Sequence, residues 1–163
     1  MSTKLVFIGG PPGVGKSEVA GKLFTRLHNC VWLEGDDIWR MNPFLANDCT
    51  KNMVERNIRF LLGSYIESGF SYVLFTWVLH CDEVVNSLLM ELGEHKYEFR
   101  HFTLLCDEDT LRERIAADAE RTTDVNLALQ RLVQARQVTS NKINTTNKSP
   151  DQIAKTLIAE LVV

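Results

Sequence analysis

Apolar residues occur along the chain in short continuous blocks, and each block is followed by a longer stretch where they return every three or four positions. Lys4 to Ile8 (KLVFI), Cys30 to Glu34 (CVWLE), Ser71 to Val78 (SYVLFTWV), Glu98 to Leu105 (EFRHFTLL) and Lys142 to Thr146 (KINTT) are such blocks. Blocks that are apolar on both faces belong to strands buried on both sides, as in parallel sheets. Helical spacing predicts a helix from Ser17 to Leu27 through Val19, Leu23 and Leu27, and another from about Thr50 to Ser68, stopped by Gly69. Cys81 to Leu92 is a third helix, closed by Gly93. Asp107 caps a fourth, read as running through Leu111 to Arg121, and a fifth runs from Asp124 to about Val138. Ser149, Pro150 and Gln152 form a helix start with a capping box, and Ile153, Leu157, Ile158 and Leu161 give that last helix one apolar face. Strands that alternate with helices predict an α/β chain: a three-layer α/β/α arrangement around a five-stranded parallel sheet with right-handed crossovers.

Composition narrows the picture. A chain of 163 residues fits a single domain spanning 1–163, since a domain of about 150 residues buries roughly 70% of its unfolded surface. A charged fraction of 24% and a net charge of −3 lack the basic excess of a nucleic-acid binder, so nucleic acid is not an expected partner. Cys30, Cys49, Cys81 and Cys106 are scattered without ligand spacing, which suggests reduced, mostly buried thiols and neither a zinc site nor a disulfide framework. The N-terminus enters a strand without a leader-like pattern, and the longest apolar run, Tyr72 to Leu79, is too short to span a bilayer. A cytoplasmic protein without membrane contact, monomeric or homodimeric, is expected.

The chemistry begins at Gly10-Pro11-Pro12-Gly13-Val14-Gly15-Lys16-Ser17, which satisfies the P-loop pattern between the first strand and the first helix. Glycines let the loop curl so that backbone N–H groups face an anion, Lys16 brings a charge to the β- and γ-phosphates, and Ser17 offers a hydroxyl to Mg²⁺. ATP with Mg²⁺ is the cofactor this predicts. Asp36 and Asp37 follow the second strand at the edge where open α/β sheets bind ligands. At the end of the third strand, where many P-loop proteins carry a Mg²⁺-binding Asp, Thr76 and Trp77 stand instead. The acidic help to the metal is therefore assigned to Asp36 beside Ser17. If the chain leaves the second strand extended, Asp36 and Asp37 point to opposite sides and only one can face the γ-phosphate. Asp36 is read as the acceptor residue and Asp37 as a cap.

Trp39, Arg40, Phe44 and Trp77 are candidate acceptor contacts around Asp36. Arg56 and Arg59 share a helix face that either grips an anionic acceptor or is simply solvated. His80 follows the third strand and is read as structural or as a substrate contact. Arg114 and Arg121, seven apart, fall on one helical stripe and either form surface pairs with Glu113 and Glu120 or reach over the phosphates as part of a lid at about 112–138.

A P-loop alone does not name the reaction. The guanine-reading Asn-Lys-x-Asp is missing, Asn147-Lys148-Ser149-Pro150-Asp151 failing it by one residue, and no Asp-x-x-Gly switch is present. The chain is also too small for an oligomeric remodelling ATPase with its sensor domain. The loop together with Leu33-Glu34-Gly35-Asp36-Asp37 resembles the small P-loop kinases: gluconate kinases, adenylylsulfate kinases and chloramphenicol phosphotransferases. The stretch from His101 through Arg114 to Thr146 and the last helix is similar to the tunicamycin-resistance branch. That resemblance implies a P-loop NTPase fold and transfer of ATP's γ-phosphoryl group to a small-molecule hydroxyl. It also implies that Asp36 meets the acceptor, that lid arginines bind phosphate, and that Thr145, Thr146 and Asn147 lie by the adenine. The arginine spacing is longer than in gluconate kinases and their lid signatures are missing, which argues against gluconate. Two other readings stay open: a nucleoside monophosphate kinase in which Arg40, Arg56 or Arg59 grips a phosphate, and a nucleotide-binding protein that sequesters a small molecule without turnover.

Overall fold

In the computed structural model, residues 2–162 are described. Five strands, β1 (Thr3–Gly9), β2 (Cys30–Glu34), β3 (Tyr72–Thr76), β4 (Tyr97–Leu105) and β5 (Asn141–Asn144), form one sheet in the order β2-β3-β1-β4-β5. Every neighbouring pair is parallel. Six helices connect or cover them: α1 (Lys16–Phe24), α2 (Asp48–Glu67), α3 (Asp82–Met90), α4 (Glu108–Ala117), α5 (Val125–Ala135) and α6 (Pro150–Val162).

The core has two halves, one on each face of the sheet, because successive side chains of a strand point to opposite sides. Val6, Ile8, Phe102 and Leu104 pack with residues of α1, α4, α5 and α6. Leu5, Phe7, Val73 and Phe75 pack with those of α2 and α3. β1 is fully enclosed at Leu5 through Ile8, which explains its unbroken apolar run.

Helix starts follow their side-chain chemistry. The Asn47 side chain accepts from the Thr50 amide while Thr50 Oγ1 accepts from the Asn47 amide, so α2 opens with a capping box. Asp107 caps α4 through the Thr110 amide at 2.7 Å, and Ser149 and Gln152 form the expected box at α6.

Three expectations change. The helix read as reaching Arg121 ends at Ala117, because Asp118 Oδ1 accepts from the amides of Glu120 and Arg121 and so offers the backbone an alternative to further helix. Arg121 therefore does not share a helical stripe with Arg114. The segment after β2 is a 3₁₀ turn, Gly35–Trp39, and not extended chain, so the alternation expected for Asp36 and Asp37 does not apply. Of the four free cysteines only Cys106 is buried, Cys49 being exposed and Cys30 and Cys81 half-buried.

Candidate active site

The P-loop joins β1 to α1 at the C-terminal edge of the sheet. Its turn requires glycine at Gly10, where φ is 141° and a side-chain carbon would stand 2.6 Å from the Leu104 carbonyl oxygen. Lys16 Nζ lies across the loop and donates to the carbonyls of Gly10 and Pro11, each at 3.0 Å. Desolvation lowers the Lys16 pKa to about 8; Asp36 and then Glu34 oppose the shift by their charge, and Arg121 adds to it. Those causes place two carboxylates and one guanidinium within electrostatic reach of the ammonium group.

The acid on the Ser17 hydroxyl is Glu34, the last residue of β2, which accepts a hydrogen bond from Ser17 Oγ. Sequence reasoning gave that position to Asp36 and passed over Glu34. The signal is a carboxylate closing an otherwise apolar strand, which the apolar-block pattern absorbs into the strand. Asp36 and Asp37 are both exposed. Asp37 does not cap the turn; its Oδ1 accepts from Arg40 Nε at 3.0 Å and Nη2 at 2.7 Å, which also occupies Arg40.

β3 lies between β1 and β2, the strands that lead into the phosphate loop and into the carboxylates. The Trp77 ring presses on Gly35, where an added side-chain carbon would stand 2.6 Å from Trp77 Cγ. The Gly10 amide donates to the Val78 carbonyl at 3.2 Å. Leu79, with φ of 44°, packs against Gly9, and His80 follows, half-buried. Burial, then the charge of Arg131, lowers the His80 pKa, with Glu83 opposing, so the imidazole is neutral at neutral pH. Trp39 and Phe44 stand with ring centroids 5.9 Å apart beside the carboxylates.

Arg114 is fully engaged. Nη1 donates to the Val14 carbonyl and to Thr145 Oγ1, both at 2.9 Å, and Nη2 donates to the Thr145 carbonyl at 2.8 Å. It clamps the P-loop to the turn after β5. In that turn Thr145 is buried, Thr146 Oγ1 accepts from the Asp107 amide, and Asn147 has a positive φ of 56°. Arg121 lies in the exposed connection between α4 and α5.

Arg56 and Arg59 do not join the others. They line a separate cleft with Glu91 and His95, and Arg59 is paired with Glu55 at 3.6 Å and Glu91 at 3.0 Å. Glu91 follows the last residue of α3, a helix that starts near the ligand edge and runs away from it.

A parallel five-stranded sheet with a P-loop after its central strand, covered by helices on both faces, is the P-loop kinase-like α/β fold. The chain belongs to the family described as AAA domain, whose model matches residues 6–138. Among solved structures it is similar to the tunicamycin resistance protein of Deinococcus radiodurans, with 21% identity, 98% of this chain and 95% of that one covered, and a TM-score of 0.74. A gluconokinase from Sinorhizobium meliloti 1021 superposes with a TM-score of 0.72 at 14% identity, covering 99% and 91% of the two chains. A sugar kinase from Janibacter sp. HTCC2649 gives 0.69 at 12% identity, covering 100% and 96%. No curated protein matches the sequence. At these identities the likeness is one of fold. No helix among the described residues is long and apolar enough to cross a membrane.

Proposed function

We propose that the chain is an ATP-dependent small-molecule kinase that transfers the γ-phosphoryl group to an acceptor hydroxyl. The observation that carries this reading is the division of labour between two acids near Lys16: Glu34 is bonded to Ser17, and Asp36 stands exposed and available to an acceptor.

In this reading the backbone of Gly10 to Ser17 cradles the phosphates, and Lys16 leaves its two carbonyls to meet them. Thr145, Thr146 and Asn147 lie by the adenine. The Ser17 hydroxyl and the Glu34 carboxylate are the hard oxygen donors that Mg²⁺ takes, and these two residues would hold it. When bound, the metal neutralises charge on the phosphates. Asp36 accepts the hydroxyl proton as the acceptor oxygen bonds to the γ-phosphorus and the bond to the β,γ-bridging oxygen breaks, releasing ADP. Arg121 is the arginine for the developing charge, since Arg114 is committed to Val14 and Thr145. Closure is assigned to the connection 118–124 within the lid proposed at 112–138, because Ile115, Ala128, Leu132 and Ala135 anchor the flanking helices in the core.

The nucleoside monophosphate kinase reading loses support, since Arg40 is held by Asp37, Arg59 by Glu55 and Glu91, and Arg56 lines the separate cleft with Arg59. Thermal unfolding with Mg-ATP tests the nucleotide half: free ligand at about 100 Kd adds roughly 2.7 kcal/mol. Lys16→Ala loses most of that gain. An unchanged melting temperature in millimolar Mg-ATP contradicts the reading.

A further inference from the structure

Thr76, the last residue of β3, stands where many P-loop proteins carry a Mg²⁺-binding Asp, and it is only 1% exposed. Its Oγ1 accepts a hydrogen bond from Trp32 Nε1 at 2.9 Å. That bond joins two strands in a fixed register, with Trp32 of β2 level with Leu74 and Glu34 level with Thr76. Trp32 and Glu34 are two apart on one strand, so they share a face of the sheet. The indole bond puts the Thr76 hydroxyl on that face, and the Ser17 bond to Glu34 puts the start of α1 over it. Ser17, Glu34 and Thr76 therefore stand together on one side of the sheet at its ligand edge.

Packing fixes the indole. Trp32 lies against the half of the core beneath α1, its ring centroid 6.4 Å from that of Phe24. A threonine hydroxyl has one proton to donate and two lone pairs. Trp32 takes one lone pair, so the proton has to point elsewhere on the same face. One neighbour in register is Ile8, whose side chain has no acceptor. The other is Glu34, whose carboxylate has acceptor sites beyond the one that Ser17 uses. An Asp at position 76 would set a second carboxylate beside Glu34 and raise the cost of ionising both, whereas a hydroxyl supports the charged form.

Resting on the kinase reading above, we propose that Thr76 is a positioning residue for the Ser17 and Glu34 pair: Trp32 orients its hydroxyl so that the proton is donated to the Glu34 carboxylate. That bond aims the carboxylate at Ser17 and at the Mg²⁺ that the two would hold. The acid has moved to the second strand, and the third strand keeps the group that steers it.

The test uses the full chain with a fixed concentration of a non-hydrolysable ATP analogue, titrates Mg²⁺, and reads the concentration that gives half of the maximal rise in melting temperature. Thr76→Val keeps the shape of the side chain and loses the hydroxyl, and it raises that concentration about tenfold, the scale of a lost partner behind a metal ligand. Thr76→Ser, which keeps the hydroxyl, restores most of the loss. In a Glu34→Ala background Thr76→Val adds nothing further, because the carboxylate it steers is gone. Trp32→Phe removes the indole donor, keeps an aromatic ring, and also raises the Mg²⁺ requirement; it carries the test if Thr76→Val does not fold. A folded Thr76→Val or Trp32→Phe with an unchanged requirement overturns the proposal, and a lower melting temperature alone marks Thr76 as a partner for the indole and nothing more. A further tenfold rise in the Glu34→Ala background overturns it as well. A wild-type chain that shows no melting shift at any Mg²⁺ concentration strikes the kinase reading instead.

Discussion

The Ser17 hydroxyl donates to the Glu34 carboxylate, so the start of α1 is tied to the end of β2 on the far side of β3. The phosphate loop and the acid that would share its metal are thus joined before any ligand arrives. Replacing that acid should separate metal use from nucleotide use. Glu34→Gln keeps the fold and a hydrogen-bond acceptor for Ser17 but removes the charge. The Mg²⁺ concentration for half-maximal ATP protection should rise about tenfold or more, as a lost metal-supporting group typically costs. Titration of Mg²⁺ at fixed ATP checks this; an unchanged requirement places the metal on other groups.

Gly35 and Trp77 form the second junction of the site. A methyl group at position 35 would stand 2.6 Å from Trp77 Cγ and 2.8 Å from Cδ1, atoms too near the backbone to swing away. Gly35→Ala should cost about 1–3 kcal/mol of stability through overpacking. In Gly35→Ala combined with Trp77→Ala the two costs should be strongly less than additive in denaturant unfolding. Additive costs would show that the ring is not the obstacle.

The two arginines given the same role on sequence should fail differently. Arg114→Lys cannot keep the fork that serves Val14 and Thr145, and should cost about 1–3 kcal/mol of stability. Arg121→Ala should leave stability within about 0.5 kcal/mol, as an exposed substitution does, and lower kcat. Parallel unfolding and turnover measurements on both variants decide, and an Arg114 variant of unchanged stability contradicts the clamp.

His101 on β4 makes stability depend on acid. It is buried, and its pKa falls to about 4. Burial is the main cause and the charge of Lys142 the second, with the Thr139 backbone and then the charge of Asp82 opposing. The unfolded imidazole titrates near 6.5, so between about 6.5 and 4 the unfolded state binds a proton that the folded state refuses. Stability should be unaffected by this group above about 6.5 and fall as pH drops through that window, by on the order of 3 kcal/mol when complete. The wild-type curve minus that of His101→Leu isolates the effect; a flat difference curve refutes it.

Local chemistry made most of this legible. The apolar runs of Leu5 to Ile8 and Val73 to Phe75, the P-loop, and the caps at Asp107, Ser149 and Gln152 are properties of neighbouring residues, and the structure repeats them. What stayed hidden depends on partners distant in sequence. Glu34 meets Ser17 only because β3 inserts between β1 and β2, and Arg114 is captured by Thr145 across the sheet edge. The end of α4 was missed for a local reason, since Asp118 stops it through its side chain without glycine or proline. Asp36 was placed at the right edge by strand position, although the turn that carries it is 3₁₀ and not extended.

The account stands on phosphoryl transfer that depends on Asp36. Its most direct test is to follow γ-labelled ATP with a small-molecule extract as the source of acceptors, using the wild-type chain, Lys16→Ala and Asp36→Asn. Wild type should move label into a new small-molecule product and release ADP in equal amount. Asp36→Asn should keep the melting shift with Mg-ATP and transfer label about 10²- to 10⁴-fold more slowly, the usual worth of a general base. Label that stays on ATP with wild type, or that moves equally fast with Asp36→Asn, contradicts the account.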